Sequence, residues 1–320
     1  MSTLLQQPAS VLLATYNGER FLEPLLQSLA TQTDGNYRLL IRDDGSNDGT
    51  GAILERAQAM DSRITVINDG HGSSGSARAN FGHLLNQIPD DTGPILFCDQ
   101  DDVWEPAKIA TLRGALVAAE TVYGSDIPLL AHCDLMVTDG GLDTLAASFW
   151  AYQFIDPQLG RTLNRLLVQN SVTGCAMAFN QPLLRLARPI PDAAVMHDWW
   201  LALVASAFGH IEVVPKPLVR YRQHGTNDTG ATRWDLRHIA NKALRFMNRD
   251  ALLASLNRGR HQAAAFEQAF GHQLSPAHLA TVRAFIATAT VRPWTKRQLL
   301  WRHRLLKTGL VRNLGLFLRI

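Results

Sequence analysis

The sequence predicts an α/β protein with a Rossmann-like, mainly parallel central sheet flanked by helices, followed by a C-terminal helical extension. Three observations predict it. Across residues 10–102 a short apolar run, a polar turn and a segment of helical periodicity recur in that order, the pattern of strands joined by helical crossovers. The turns that end these runs carry acidic and small residues, as at the ligand-binding edge of an open parallel sheet. From residue 233 onward strand-like runs stop, and apolar residues recur at helical spacing among arginines and lysines.

Val11-Leu12-Leu13-Ala14 is the first predicted strand. The helix after it covers 19–30, with Phe21, Leu22, Leu25, Leu26 and Leu29 on one face and Pro24 near its start, where proline is best tolerated. A second unit joins a strand at 37–41 to a helix ending near 59 through Asp43-Asp44-Gly45-Ser46-Asn47-Asp48-Gly49-Thr50. A third joins 64–67, a glycine-rich turn and a helix over 76–88. The fourth strand, Ile95-Leu96-Phe97-Cys98, runs into Asp99-Gln100-Asp101-Asp102. Next come a helix over 108–121 and a strand over 129–137, whose His132 and Cys133 read as packed core residues rather than ligands. Residues 148–169 read as an irregular aromatic loop, 170–179 as a strand approached closely by something else, and 211–214 and 218–222 as two short strands.

Bulk properties exclude several classes. A chain of 320 residues buries a sizeable core, and a net charge of +3 without a recognition motif does not indicate nucleic acid. Cys98, Cys133 and Cys175 are far apart with no Cys-x-x-Cys pair, and the N-terminus lacks a secretion signal, so a reduced, cytoplasmic location is expected. No apolar stretch reaches the roughly 18 to 20 residues of a membrane span, which leaves peripheral contact.

The chemistry concentrates at Asp99, Asp101 and Asp102. Carboxylates this close repel unless a cation joins them, and hard oxygen donors suit Mg²⁺ or Mn²⁺. A solvated turn capping the next helix is the plainer reading. Two other motifs compete. Gly70-His71-Gly72-Ser73-Ser74-Gly75 satisfies the dinucleotide fingerprint, the basis for an NAD(P)-dependent oxidoreductase, but it follows the third predicted strand rather than the first. Asp44-x-Ser46-x-Asp48-Gly49 with Glu55 has calcium-loop spacing, yet that loop needs an incoming helix where 37–41 reads as a strand.

Taken together, four motifs in order resemble glycosyltransferase family 2, the inverting, nucleotide-sugar-dependent enzymes of GT-A fold. They are Ser10-Val11-Leu12-Leu13-Ala14-Thr15-Tyr16-Asn17, Asp43-Asp44-Gly45-Ser46, Ala77-Arg78-Ala79-Asn80 and Asp99-Gln100-Asp101-Asp102. With Met196-His197-Asp198-Trp199-Trp200 and Tyr221-Arg222-Gln223-His224-Gly225, the chain looks most like bacterial rhamnosyltransferase-like members that build surface polysaccharide. The resemblance implies a GT-A domain over 1–232, with a nucleotide-binding half near 8–102 and an acceptor-binding half over 103–232, and a helical basic region over 233–320. It assigns Asp101, Asp99 and His224 to the metal, and Thr15, Tyr16, Asn17, Asp44, Arg78 and Asp99 to the nucleotide. Asp198 becomes the general base. Asp102, Asp43, His197 and Trp199 lie beside these without a fixed role; many members carry Glu-Asp where this chain has His197-Asp198.

The implied donor is dTDP-rhamnose, with a UDP-hexose as the alternative. The implied acceptor is a lipid-linked saccharide of O-antigen or related assembly. A non-catalytic nucleotide- or carbohydrate-binding relative is the remaining alternative, disfavoured by the joint presence of Asp99, Asp101 and Asp198. No Asp or Glu follows Glu267, while Arg292, Lys296, Arg297, Arg302, Arg304, Lys307, Arg312 and Arg319 alternate with Trp294, Trp301 and a series of leucines. That composition predicts amphipathic helices lying on an anionic membrane surface, against the alternative of helices packed on the rest of the chain.

Overall fold

The computed structural model describes residues 3–89, 92–223 and 249–319. Its strands are β1 (Ala9–Thr15), β2 (Tyr37–Asp43), β3 (Ile64–Val66), β4 (Ile95–Asp99), β5 (Val103–Trp104), β6 (Leu129–Thr138), β7 (Thr144–Ala146), β8 (Met177–Phe179) and β9 (His210–Arg222). The helices are α1 (Thr3–Gln6), α2 (Glu19–Ala30), α3 (Thr50–Met60), α4 (Ala77–Asn86), α5 (Lys108–Tyr123), α6 (Phe149–Gln153), α7 (Pro157–Gly160) and α8 (Leu163–Leu166). They continue with α9 (Gln181–Ala187), α10 (His197–Phe208), α11 (Arg249–Phe270), α12 (Pro276–Ala287), α13 (Pro293–Arg302) and α14 (Leu310–Arg319). Of the described residues, those up to 149 with 173–189 and 209–223 form one compact unit, and 150–172, 190–208 and 249–319 form another.

The first unit is built on a sheet in the order β3-β2-β1-β4-β8-β6-β9-β5, with β7 on β6. Strands β3, β2, β1 and β4 are mutually parallel, as the repeated strand–helix pattern predicts. Val11, Leu12, Leu13, Ile41 and 95–98 are buried, because crossover helices cover these strands. The other half of the sheet is mixed: β8 runs antiparallel to β4 and β6, β5 antiparallel to β9, while β6 and β9 are parallel.

Three predicted elements differ from the structure. Only 177–179 of the 170–179 segment is a strand, preceded by a 3₁₀ turn at Gly174–Ala176. Its ladder with β4 covers Ile95 and Leu96 alone, so the preceding residues are released toward the end of β4. The two strands predicted at 211–214 and 218–222 are one strand, β9, because the ladder with β6 absorbs Pro215 and Pro217 by shifting register near Asp134. The segment 148–169 contains the short helices α6, α7 and α8 rather than an irregular loop; Asp156 caps α7 by accepting from the N–H groups of Gln158 and Leu159, with Pro157 opening the helix.

Among the described residues the second unit is helical. Trp200 of α10 packs edge-on against Phe266, with ring centroids 5.6 Å apart, and beside Phe270, both on α11; Phe285 and Leu300 are buried on α12 and α13. No helix among the described residues is long and apolar enough to cross a membrane.

Candidate functional site

Strand register brings three of the predicted turns together. Ala14 of β1 lies opposite Asp99 of β4, and Thr15 lies opposite Asp43 of β2, so the turns after all three strands share one edge of the sheet. Gln100 joins two of them. Its amide accepts from the Tyr16 N–H at 2.9 Å and donates to the Tyr16 carbonyl at 3.0 Å. A Cβ on Gly18 would lie 2.6 Å from the Gln100 Oε1, so glycine is what permits this approach. The pairing leaves the Tyr16 ring exposed, and Asn17 takes a left-handed conformation with φ 48°. Asn17 donates its N–H to Ser46 Oγ and accepts from the Asn47 N–H, while Asp43 accepts from Thr15 Oγ1 at 2.7 Å and from the Ser46 N–H at 2.9 Å. Asp43 therefore ties the β1 turn to the β2 turn.

Arg42, which the sequence analysis passed over, is the hub of the next layer. Its buried guanidinium donates to Asp69 at 2.9 Å, Asp44 at 3.0 Å, Asn80 at 3.1 Å and the Gly72 carbonyl at 3.0 Å. Asp44 in turn accepts from the N–H groups of Ser74 and Gly75. Burial alone would raise the Asp44 pKa, but these hydrogen bonds outweigh it and hold the carboxyl below its usual range. The consequence overturns the dinucleotide reading. A pyrophosphate cradle needs its N–H groups for the phosphates, and here those of Ser74 and Gly75 hold a carboxylate. The calcium-loop reading falls with it, because β2 is a strand and Asp44 is committed elsewhere. Arg78 lies in the first turn of α4, whose N-cap Ser76 accepts from the Ala79 N–H.

At the acidic turn, the ligand atoms of Asp99, Asp102 and Cys175 lie within 4.8 Å of one another. Asp102 is fully buried; its Oδ1 accepts from the Arg222 N–H at 3.3 Å, and its Oδ2 has no hydrogen-bond partner. Burial, then the charges of Asp101 and Asp99, push its pKa well above the usual carboxylate range, and burial likewise raises the Cys175 thiol. A carboxylate pair with a buried oxygen that no N–H or O–H group serves fits a hard divalent cation; the Cys175 thiol, which hydrogen-bonds to Asp102 and is held protonated by burial, does not add to that fit. Asp101 is half-buried on the same turn, and its carbonyl accepts from Arg222 Nε at 2.8 Å. Beneath lies Lys108, fully buried, with Nζ donating to the Cys175 carbonyl and standing 3.1 Å from the centre of the Trp104 ring. Burial lowers its pKa. Arg222 and Lys108 are thus the cations that frame the turn, and no local signal distinguishes them from surface charges. His224 lies outside the described residues.

Asp198 belongs to the second unit, in the first turn of α10, where the helix dipole favours an anion. It is buried, and its Oδ1 accepts from Asn170 Nδ2 at 3.2 Å and from the Trp199 N–H. Asn170 is fixed by accepting from the Val172 N–H at 3.0 Å, and Trp199 by donating its indole N–H to the Leu166 carbonyl. His197, next in the chain, is buried, and desolvation lowers its pKa to about 3, so it is a neutral ring at physiological pH. His132 is a buried core residue of β6, as predicted, with its pKa lowered to about 4 by the same cause.

Residues 10–127 match the family model "Glycosyl transferase family 2". The chain is 25% identical over 228 residues to an uncharacterized glycosyltransferase of Nostoc sp., a match covering 68% of this chain and 66% of that protein. It is 27% identical over 225 residues to the dTDP-rhamnosyl transferase RfbG of Shigella flexneri, covering 68% of this chain and 74% of RfbG. Among solved structures, S. aureus TarS shares the fold with a TM-score of 0.58 at 16% identity, over 88% of this chain but 43% of the TarS chain. Its fragment 1–349 in complex with UDP-GlcNAc gives 0.52 at 16% identity over 93% of this chain and 88% of the fragment. The mannosyltransferase PcManGT of Pyrobaculum calidifontis, in complex with GDP-Man and Mn²⁺, gives 0.51 at 16% identity over 95% of this chain and 81% of that one. The chain thus spans just under two thirds of the Nostoc relative and less than half of full TarS. The expected GT-A architecture is borne out, and residues 10–127 match glycosyltransferase family 2.

Proposed function

We propose that the protein is an inverting, metal-dependent glycosyltransferase that moves L-rhamnose from dTDP-rhamnose to a lipid-linked saccharide in O-antigen or other surface-polysaccharide assembly. The observation that carries this reading is the Gln100 clasp: the acidic turn and the exposed Tyr16 ring are joined through both backbone groups of Tyr16. A diphosphate bound at one and a base stacked on the other would be held at a fixed separation. Mg²⁺ or Mn²⁺ held by Asp101 and Asp99, with the buried Asp102 beside them on the same turn, would supply Lewis-acid neutralisation of the diphosphate leaving group. Thr15, Tyr16 and Asn17 form the nucleotide wall, and Asp43 and Asp44 act by positioning it. Arg78 is assigned to the pyrophosphate, for which a planar guanidinium is suited.

Asp198 is assigned as the base. It takes the acceptor hydroxyl proton as that oxygen bonds to the anomeric carbon and the bond to the diphosphate breaks, a contribution of about 10²- to 10⁴-fold. Asn170 orients its carboxylate. Peripheral attachment to an anionic membrane is supported by exposed apolar residues on the acid-free C-terminal helices. Trp294 and Trp301 lie two helical turns apart on α13, and Leu310, Leu314 and Leu318 are spaced by four on α14.

Relatives support the donor at two levels. RfbG is named as a dTDP-rhamnosyl transferase, which favours dTDP-rhamnose; the TarS complex with UDP-GlcNAc favours a UDP-hexose as the second reading. A thermal-shift panel of UDP, dTDP, GDP, CMP and NAD(H), each with and without Mn²⁺, separates them, because a ligand of the native state raises its apparent stability. Mn²⁺-dependent stabilisation by dTDP supports the proposal. The same behaviour with UDP alone moves the donor to a UDP-hexose, and metal-independent stabilisation by NAD(H) alone refutes transferase function.

A further inference from the structure

We propose that Asp69, His71 and His83 form a second, separate cation site, selective for a borderline transition metal of the zinc class. The three residues come from different places: Asp69 and His71 from the segment after β3, His83 from the last turn of α4. Their ligand atoms lie within 4.8 Å of one another, and the two imidazole rings stand 4.7 Å apart, tilted by 44°.

One distance is informative. His83 Nδ1 lies 3.4 Å from Asp69 Oδ2, beyond the usual range for a hydrogen bond. Two ligands bound about 2.0–2.1 Å from one tetrahedral ion are separated by about 3.3–3.4 Å. The pair is spaced for a shared ion. Two imidazoles and one carboxylate are also the donor set that favours zinc, whereas the oxygen pair of Asp99 and Asp102 suits a hard cation, so the two sites differ in selectivity. Three protein ligands leave a position open to water.

The outer contacts of a metal site are present too. Arg42 Nε donates to Asp69 Oδ2 at 2.9 Å, and the His71 N–H donates to Oδ1 at 3.1 Å, which together fix the carboxylate plane. The Arg42 charge opposes the incoming cation, so the affinity should be that of an exchangeable site rather than a structural zinc centre. His71 is exposed and His83 partly so, which gives the ion access from solvent. Occupancy would join the His71 end of the glycine-rich loop to α4. The other end of that loop holds Asp44 through Ser74 and Gly75. The ion would therefore steady the loop that supports the β2 turn.

The test uses the full, untagged protein, with Zn²⁺ titrated against a chromophoric chelator and Co²⁺ used as a visible-absorption probe. One equivalent of Zn²⁺ should bind, and Co²⁺ should give the intense absorption of a four-coordinate site. His71→Ala and His83→Ala should each weaken binding at least about 100-fold, since loss of even an outer-shell partner costs about 10- to 100-fold. His210→Ala, remote in sequence and paired with Glu212, should leave it unchanged. Circular dichroism confirms that the variants fold. Zn²⁺ binding that persists in both His71→Ala and His83→Ala, or no stoichiometric binding to the wild type, overturns the proposal. A second readout is hydrogen exchange of 68–76, which Zn²⁺ should slow in the wild type and not in His83→Ala.

Discussion

Replacing Arg42 tests whether the nucleotide-side turns are held by one buried ionic hub. In Arg42→Met the apolar stem is kept and the guanidinium removed, which deprives Asp44 and Asp69 of their shared cation. Both carboxylates are buried, with side-chain exposures of 7% each, so neither is rescued by bulk water. Removing one partner of a buried pair typically costs about 3–5 kcal/mol, chiefly through the charge left behind. The remaining donors, Ser74 and Gly75 to Asp44 and His71 to Asp69, place the expected loss toward the lower end of that range. Arg42→Lys keeps the charge but offers three donors in place of the planar fork that serves Asp69, Asp44, Asn80 and the Gly72 carbonyl. At about 0.5–1.5 kcal/mol for each hydrogen bond lost, it should cost roughly 1–3 kcal/mol.

The reference is Arg56→Met, which breaks the Arg56–Glu23 pair with side chains 60% and 70% exposed and should cost under about 1 kcal/mol. Urea midpoints give the ranking, and hydrogen exchange of residues 68–80 shows where stability is lost. Arg42→Met should shift the midpoint most and accelerate exchange in that segment. If Arg42→Met matches Arg56→Met in midpoint and leaves 68–80 protected, the hub does not organise these turns.

Three further outcomes are expected. Asp198→Asn should lower kcat by about 10²- to 10⁴-fold with donor KM little changed, and Asn170→Ala should give a smaller loss; transfer at the wild-type rate by Asp198→Asn in a steady-state assay removes the base assignment. On the acid side, Asp44 has its folded pKa below the unfolded value of about 3.9, so its stabilisation is fully present above that pH and lost as pH falls through the folded value. Asp44→Asn should therefore be less stable than wild type at neutral pH yet lose less on acidification, read from circular dichroism across pH 6 to 2; a parallel acid limb contradicts this. Replacing the exposed Leu314 and Leu318 by Ser should weaken co-sedimentation with anionic vesicles and leave the fold intact; binding at the wild-type level would exclude α14 as the contact.

Much of the first unit could be read from the sequence, because its determinants are local. The apolar runs of β1, β2 and β4 are buried on both sheet faces, those of β2 and β4 end at acids, and α2 carries its apolar stripe within a single helix. Separations along the chain explain what could not be read. Arg42 looks like part of a charged turn in Ile41-Arg42-Asp43-Asp44, and becomes a hub only because Asp69 and Asn80, 27 and 38 residues away, converge on it. Asp102 and Asp101 are adjacent and chemically alike, yet Asp102 is buried and its Oδ1 takes the N–H of Arg222, 120 residues later. Lys108 sits at the start of an amphipathic helix and is buried because Cys175 presents a carbonyl there.

The glycine-rich loop makes the same point from the opposite direction. Its spacing satisfies a nucleotide fingerprint, and its Gly75 adopts φ 71° as such loops require, but its N–H groups serve Asp44. A motif specifies what the backbone can present; the acceptor it meets decides what it binds. That is why four motifs together were more informative than the one with the better pattern: three of them end neighbouring parallel strands, Thr15 opposite Asp43 and Ala14 opposite Asp99, and register is what brings distant turns to one place.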